Sequence, residues 1–303
     1  MVAFVTYCLR FKVNFLGRSI SMSKVKVGIN GFGRIGRTIF REILNRNVAE
    51  FEVVAINSPG KIEEYAHLLK FDSVHGRFGK DVDASEGTLE VDGIKIPFFG
   101  EKDPTAIPWH QYDVQIVIDA TGIFKDKAGL GKHLGDTVKK VIMCAPGKDL
   151  DGTFVVGINH ETYDPTNHNI VSNASCTTNC LAPIAKVLHD KFGIVNGAMT
   201  TVHAYTSDQR ILDASHSDMR RSRAAAVSMI PTTTGAAKAV GLVIPELKGK
   251  LDGYAIRVPT PNVSLVDLTA NLEREVTADE INGALKEASE TYLKGVLKTE
   301  ALP

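Results

Sequence analysis

The chain has 303 residues, enough for about two domains, with 35 basic and 35 acidic side chains and no formal net charge. This balance argues against a nucleic-acid-binding protein, and no apolar run reaches the ~18 residues that a membrane span needs. The four cysteines have no partner histidines or second cysteine pair at metal-ligand spacing, so no metal site is expected. So few cysteines also fit the reducing cytoplasm better than a disulfide framework.

Residues 1–23 are predicted to be an extension ahead of the first strand. Up to Ser21 the segment contains Arg10, Lys12 and Arg18 and no acidic residue. Two interpretations stay open: a weak targeting segment, or a start that does not belong to the natural protein. We favour the second, because Met22 begins a natural lead into a strand.

Residues 24–175 are predicted to be a dinucleotide-binding domain with a parallel Rossmann-type sheet. An apolar strand at 25–29 leads into a turn with Gly31, Gly33 and Gly36, and helical periodicity follows over 37–44. Glycines in such a turn permit the close approach of a pyrophosphate, which then lies at the helix N-terminus. The alternative is a tight strand-to-helix turn with no ligand, but the strand–turn–helix context favours nucleotide binding.

Ser58 follows the second predicted strand, 52–56, at the position where a Rossmann domain usually has an acidic residue. That carboxylate binds the ribose hydroxyls. It would repel the 2′-phosphate of NADP, whereas a serine can donate a hydrogen bond to it. The alternative is an ordinary turn residue before Pro59.

Further strands are predicted at 88–91, 94–96, 114–119 and 141–143. The last two are followed by Thr121, Gly122 and Cys144. Ligands of such sheets bind outside the carboxyl ends of the strands, so both turns are expected to contact the cofactor.

Cys176 lies in a stretch of Ser, Thr and Asn residues, 172–180, just before a predicted helix over 181–192. The free amides and dipole of a helix N-terminus favour a thiolate, which makes Cys176 a candidate nucleophile. The alternative is a small buried cysteine, but an apolar core would exclude so many polar neighbours. Cys180, one helical turn later, is expected to be a packed helix residue.

Residues 176–303 are predicted to be an α+β catalytic domain with a mixed or antiparallel sheet. A strand beginning at Ile194 would carry His203 and Thr206, and His203 could act as the base for Cys176. A hydrogen-bonded histidine on the sheet surface is an equal alternative. Other predicted elements are a charged loop at 208–223, a turn at 231–235 that opens a helix, strands at 254–258 and 263–272, and a helix at 278–293.

Two groups in this half suit phosphate. The hydroxyl-rich turn 231–235 and the helix after it offer hydroxyls and free amides. Arg257 lies on a predicted strand and can bind phosphate oxygens with two nitrogens, although a surface ion pair is the alternative.

In this order, the motifs resemble those of phosphorylating glyceraldehyde-3-phosphate dehydrogenases. The matching stretches are NGFGRIGR at 30–37, SNASCTTNCLAP at 172–183, TVHAYT at 201–206, PTTTGAAKAV at 231–240 and RVPTPNVS at 257–264. The resemblance implies that Cys176 attacks the aldehyde, that His203 is its base, and that inorganic phosphate cleaves the resulting thioester. It also implies NAD as hydride acceptor, a role in glycolysis and glucose metabolism, and a homotetramer in which residues 205–226 reach a neighbour's cofactor.

The resemblance assigns further residues to binding roles. Thr206 and Arg257 match the positions that hold the substrate phosphate, while the attacking phosphate is assigned to Ser175, Thr177, Thr234 and Gly235. Cofactor contacts are assigned to Arg34, Ile35 and Lys102, together with Gly31, Gly33, Gly36, Ser58, Thr121, Gly122, Cys144 and Ser215.

The chain departs from the family pattern at three places. Ser58 replaces an aspartate, and Ala214-Ser215 resembles photosynthetic members that accept NADP, so we expect use of NADP as well as NAD. Cys144 replaces a serine or threonine near the nicotinamide. The family continues beyond Pro303, so the second domain is expected to be incomplete at its C-terminus. Two alternative functions therefore stay open: a non-catalytic dinucleotide-binding or interaction protein left by truncation, and a sister erythrose-4-phosphate dehydrogenase.

Overall fold

The structure is a computed structural model, which describes residues 24–300. The predicted extension 1–23 lies outside the described residues. Contacts divide the chain into two compact units: unit 1 runs to Phe154 and includes His160–Ala174, and unit 2 comprises Val155–Asn159 and the chain from Ser175 onward. The assignment of cofactor binding to one domain and catalysis to the other stays a prediction.

Unit 1 is built on a long sheet with helices on its faces. Its strands are β1 Val25–Asn30, β2 Phe51–Asn57, β3 Phe71–Asp72, β4 Gly76–Arg77, β5 Val82–Ser85, β6 Thr88–Val91, β7 Ile94–Phe99, β8 Ile116–Asp119, β9 Lys140–Met143, β10 Gly152–Thr153 and β11 Ile170–Ser172. Its helices are α1 Arg34–Asn45, α2 Ile62–Lys70 and α3 Lys127–Gly131, with 3₁₀ turns at Pro104–Ala106, Trp109–Tyr112 and His160–Thr162.

The main sheet has the strand order β10-β11-β9-β8-β1-β2-β7-β6-β5. Strands from β10 to β7 pair in parallel, and β5 and β6 add an antiparallel edge. The chain leaves β1 towards β2 on one side and later returns to β8 on the other. This reversal opens a crevice at the carboxyl ends of β1, β2 and β8, where doubly wound sheets bind ligands.

Alternation along the strands builds a core on each face of this sheet. Ile56 packs with Ile29 and Phe40 in one buried cluster, whereas its neighbour Ala55 packs with Val117 in the other. Successive side chains of a strand point to opposite faces, so an apolar run is required wherever both faces are covered. The predicted Rossmann-type α/β fold is confirmed.

Unit 2 carries a four-stranded sheet in the order β13-β14-β12-β15. The strands are β12 Ile194–Ala204, β13 Ile230–Thr233, β14 Leu251–Val258 and β15 Leu265–Leu272; the helices are α4 Cys176–Phe192, α5 Ala236–Val243 and α6 Ala278–Glu290, with a 3₁₀ turn at Pro245–Leu247. β12 pairs in parallel with β14, and the other two pairs are antiparallel, so the predicted mixed sheet is confirmed. Helix α4 packs against α5 and α6.

Several predicted elements of unit 2 have different bounds in the structure. Pro231–Thr233 belongs to strand β13, so the turn predicted at 231–235 shrinks to Thr234 and Gly235. Strand β12 ends at Ala204, which leaves Thr206 in the following turn. Helix α6 ends at Glu290 rather than residue 293. Within residues 24–300, no helix is both long enough and apolar enough to span a membrane.

Candidate active site

Cys176 is the first residue of helix α4, which begins five residues before the predicted start at Leu181; the predicted position of Cys176 near a helix N-terminus is confirmed. Ser175 is the N-cap, and its hydroxyl accepts a hydrogen bond from the Thr178 amide at 2.9 Å. The capped first turn holds the Cys176 thiol at the positive end of the helix dipole, and the side chain is exposed to solvent.

His203 lies close to this thiol. Its Nε2 is 3.3 Å from Cys176 Sγ, although the two residues come from a helix and from strand β12. The hydrogen bond with His203 is the largest cause that lowers the pKa of Cys176, and hydrogen bonds with Thr177 add to it, while burial opposes the shift. Cys176 therefore has the electronic character of a nucleophile.

The ring orientation of His203 defines what it can do. Nδ1 lies 2.6 Å from the Ala204 carbonyl, which can only accept, so Nδ1 carries a proton and donates it there. The Nε2 lone pair then faces Cys176 and can take its proton. His203 is only 7% exposed, so the alternative of a histidine on the sheet surface is wrong.

Arg257 reaches the same place through strand register. It lies opposite His203 in the parallel pairing of β12 and β14. Its Nη1 donates to the Ala204 carbonyl at 3.2 Å and lies 3.1 Å from His203 Nδ1. Its Nε is buried without a hydrogen-bond partner, which leaves donor capacity for an anion. The arginine is thus placed beside the Cys–His pair rather than in a surface ion pair.

The other two described thiols lack this environment. Burial and the nearby Asp119 carboxylate raise the pKa of Cys144, so this thiol stays protonated at neutral pH. Cys180 is exposed on α4, so its predicted role as a packed helix residue is wrong.

The residues predicted to bind phosphate lie on several elements of unit 2. The Thr177 hydroxyl lies 4.0 Å from Cys176 Sγ. Thr234 accepts from the Ala236 amide at 3.2 Å, and Gly235 is the N-cap of α5 without any side-chain cap. The amides of α5 that follow Ala236 are therefore left for an anion.

Gln209 is a residue that the sequence did not reveal. Its Oε1 accepts from the Thr206 amide at 2.6 Å and from the Thr206 hydroxyl at 3.2 Å. The side chain is 5% exposed, and its amide nitrogen has no partner. Gln209 fixes Thr206 in its turn, a role that depends on tertiary geometry and leaves no pattern in the sequence.

The loop after Thr206 is tied to strand β13 by Arg221. This arginine donates to the Thr232 hydroxyl at 2.8 Å and to the Thr233 carbonyl at 3.0 Å. Ser215 lies on the exposed part of the loop, where its carbonyl accepts from Arg210 at 2.9 Å. Its assignment as a contact to a neighbour's cofactor stays a prediction.

The glycine turn of unit 1 fits a nucleotide. Gly31 has φ +90°, and a Cβ there would lie 2.7 Å from the Thr121 amide nitrogen. A Cβ on Gly36 would lie 2.1 Å from the Gly31 carbonyl oxygen, so only glycine allows the helix to approach the strand. Gly33 caps α1 with no side-chain hydrogen bond and with open space around its Cβ position. The turn therefore presents free amides to an anion.

The remaining cofactor candidates of unit 1 border this crevice or its rim. Thr121 donates from its amide and hydroxyl to Asp119, at 3.1 and 2.8 Å, and Gly122 has φ +65°. Arg34 pairs with Asp72 at 3.0 Å. Ile35 is an apolar side chain left 51% exposed at the start of α1, and Lys102 is exposed.

Ser58 has a different hydrogen-bonding role from the one expected. Its hydroxyl donates to the Tyr65 phenol oxygen at 2.9 Å, so its proton is already used. The prediction that Ser58 donates to a 2′-phosphate is wrong for this arrangement, because a hydroxyl has only one proton to give. Tyr65 was not identified from the sequence.

Unit 1 carries a glycine cradle at the end of a parallel sheet, and unit 2 carries a thiol of lowered pKa beside a histidine. A family model described as the glyceraldehyde 3-phosphate dehydrogenase NAD binding domain matches residues 25–127, and the corresponding C-terminal domain model matches residues 175–302. The chain belongs to the glyceraldehyde-3-phosphate dehydrogenase family.

Curated relatives agree over most of the chain. It is 59% identical to glyceraldehyde-3-phosphate dehydrogenase 1 of Bacillus cereus over 272 residues, which cover 90% of the chain and 81% of that protein. The enzyme of Geobacillus stearothermophilus is 59% identical over 273 residues, with the same coverage. Glyceraldehyde-3-phosphate dehydrogenase 2 of a Nostoc strain is 55% identical over 274 residues, again covering 90% of the chain and 81% of the relative.

Proposed function

We propose that the chain is a phosphorylating glyceraldehyde-3-phosphate dehydrogenase, with Cys176 as nucleophile and His203 as base. The observation that carries the proposal is the 3.3 Å contact between Cys176 Sγ and His203 Nε2. Proton transfer from Cys176 to His203 gives the thiolate, which bonds to the aldehyde carbon, and the resulting alkoxide takes that proton back from His203. His203 then removes the hydroxyl proton as a hydride leaves the carbon, which forms a thioester. NAD held by unit 1 would accept the hydride. Inorganic phosphate then attacks the thioester carbon, which releases an acyl phosphate and returns the thiolate.

The anion-binding groups of unit 2 serve the two phosphates of this reaction. Arg257, with its unpartnered Nε, and Thr206 are proposed to hold the phosphate of glyceraldehyde 3-phosphate. Ser175, Thr177, Thr234 and Gly235 are proposed to hold the attacking phosphate, which the free amides of α5 favour. Neutral hydroxyls and amides suit an attacking group because they orient it without neutralising it.

NAD is the principal cofactor of the proposal. Gly31, Gly33 and Gly36 would hold the pyrophosphate, with Arg34, Ile35, Lys102, Thr121, Gly122 and Cys144 around the rest of the dinucleotide. NADP is proposed only as a poorer second cofactor, because Ser58 lacks the carboxylate that would repel a 2′-phosphate but has its own proton taken by Tyr65.

The proposal includes a homotetramer, supported by exposed apolar side chains on the loop after Thr206, such as Leu212 and Val227. It places the enzyme in the cytoplasm, because the reaction requires a reduced Cys176 thiol.

The test is phosphate-dependent formation of NADH from glyceraldehyde 3-phosphate by the purified chain. Cys176→Ser should abolish activity yet leave NAD binding unchanged, whereas Cys180→Ser should retain activity. Activity without phosphate, or a preference for erythrose 4-phosphate, would contradict the assigned reaction. NAD binding by a chain with no activity on either aldehyde would favour the non-catalytic alternative.

A further inference from the structure

We propose that Tyr65 makes the ribose site select a free 2′-hydroxyl over a 2′-phosphate, because it takes the only proton of Ser58. The inference rests on the proposed function, since it requires that the nucleotide ribose lies at the end of β2. It assigns a specificity role to a residue of helix α2.

The Pro59 carbonyl fixes the direction of the two hydrogen bonds that link it to Tyr65 and Tyr65 to Ser58. Tyr65 Oη lies 2.7 Å from the Pro59 carbonyl oxygen, which can only accept, so the phenol donates its proton there. The phenol oxygen must then accept from Ser58 Oγ at 2.9 Å. Ser58 is left with lone pairs and no proton for a ligand.

This arrangement is held in place from several sides. The Ser58 amide donates to the Phe99 carbonyl at 2.8 Å, and the residue is only 5% exposed. The Tyr65 ring packs against Phe32 and Phe98, with centroids 6.2 and 5.3 Å away. A Cβ on Gly60 would lie 3.2 Å from the Tyr65 phenol oxygen, so the turn closes tightly over the ring. Rotation of Ser58 to offer its proton would break a bond in a packed site.

As a consequence, Ser58 interacts differently with a ribose 2′-hydroxyl and with a ribose 2′-phosphate. A free 2′-hydroxyl is a donor and pairs with the Ser58 lone pairs. A 2′-phosphate is an acceptor and meets the same lone pairs unfavourably. Without the phenol oxygen, Ser58 can turn its proton to the phosphate and make a charge-assisted bond, which is stronger than a neutral one.

The experiment compares calorimetric binding of AMP and adenosine 2′,5′-bisphosphate to the full chain. Neither probe carries nicotinamide, so the comparison isolates the 2′-position. Tyr65→Phe should tighten the bisphosphate relative to AMP by about tenfold, the size of a gained charge-assisted bond. Tyr112→Phe, a hydroxyl deletion at another aromatic residue of unit 1, should leave the ratio unchanged.

A second variant gives an independent readout if Tyr65→Phe does not fold. Ser58→Ala should weaken AMP about fivefold, through loss of an acceptor, whereas the bisphosphate should bind at least as tightly as to the wild type, because the lone pairs that face its 2′-phosphate are gone. An unchanged ratio in Tyr65→Phe, or a weaker bisphosphate in Ser58→Ala, overturns the inference while the proposed function stands. Failure of the wild-type chain to bind either probe overturns both.

Discussion

At the scale of single residues, the neighbouring His203 distinguishes Cys176 from the other thiols among residues 24–300. Three cysteines lie among residues 24–300, and two of them are exposed. Exposure alone therefore does not select the nucleophile. The pKa of Cys176 is lowered first by its hydrogen bond with His203, whereas burial raises the pKa of Cys144. Reactivity follows from the neighbouring imidazole and the helix end, not from accessibility.

We expect His203→Gln to raise the pKa of Cys176, because the substitution removes the largest cause of its depression. Near neutral pH, alkylation by iodoacetamide should slow, because a smaller fraction of the thiol is ionised when its pKa rises. At a pH above the ordinary value of a thiol, both proteins hold a thiolate and should react alike. A Cys180→Ser background removes the other exposed thiol from the measurement.

The same variant should lower kcat by a factor of roughly 10²–10⁴, since the general base is lost as well. Equal alkylation rates near neutral pH in the two proteins would show that the imidazole does not activate the sulfur.

At the scale of elements, the cap of α4 links helix stability to the ionisation of Cys176. Ser175→Ala removes the hydroxyl that accepts from the Thr178 amide, and should lower the free energy of unfolding by about 1 kcal/mol. A frayed first turn also weakens the dipole at Cys176, so the thiol pKa should rise. Chemical denaturation and the pH profile of alkylation measure the two effects.

Helix α6 offers a matched control for that substitution. Thr277 forms a capping box with Glu280, and its hydroxyl accepts from the Glu280 amide at 3.2 Å. Thr277→Ala should cost a similar amount of stability and leave Cys176 alkylation unchanged. A change in alkylation with both variants would mean that general loosening of unit 2, rather than the α4 cap, acts on the thiol.

Two glycines of the unit 1 turn should respond differently to an added methyl group. Gly36→Ala places a Cβ 2.1 Å from the Gly31 carbonyl oxygen, so backbone must move and we expect a loss of stability of several kcal/mol. Gly33→Ala meets no atom within 4 Å and should fold normally. It should still bind NAD weakly, because the methyl group would occupy the place of the pyrophosphate.

Thermal unfolding with and without NAD distinguishes these outcomes. Gly33→Ala should match the wild-type melting temperature without NAD and lose most of the stabilisation that NAD adds. Retention of the full NAD-dependent shift in Gly33→Ala would remove this turn from the binding site.

Strand β13 was predicted as a turn because local composition does not show which strand a segment will pair with. Pro231, Thr232 and Thr233 resemble a turn in composition, yet they pair antiparallel with β14. Because β13 is at the edge of its sheet, the missing amide proton of Pro231 is tolerated. Only the sheet order reveals that edge, and the order is not encoded locally. By contrast, the strand–turn–helix at Gly31–Gly36 was predictable because its chemistry lies within a few consecutive residues.

At the scale of the whole molecule, the parts of the site that the sequence missed are those made by distant segments. Cys176 and His203 were recognised as a possible pair, but the exclusion of a surface histidine required the burial of His203 in the fold. Gln209 and Tyr65 stayed hidden because their roles arise only after a turn or a helix folds against its neighbour. Residue types at helix starts and strand ends therefore predict which side chains could react or bind. The partners and directions of their hydrogen bonds become known only from the folded structure.

The loop after Thr206 has exposed apolar side chains that favour assembly of several chains. The loop after Thr206 exposes five large apolar side chains, each at least 66% accessible: Ile211, Leu212, Met219, Val227 and Met229. Arg221 fixes the loop to β13 by two hydrogen bonds, so these apolar side chains lie on an ordered part of the surface. Burial of these side chains between chains would remove their apolar surface from water and so stabilise an assembly.

We therefore expect sedimentation to give the mass of four chains for the wild type. Leu212→Ser with Val227→Ser should shift the protein towards smaller species, because both lost side chains would otherwise be buried between chains. Ile94→Ser, which removes an apolar side chain of unit 1 that is 58% exposed, should leave the assembly intact. A wild-type chain that sediments as a monomer would contradict the tetramer, since these side chains would then remain in water.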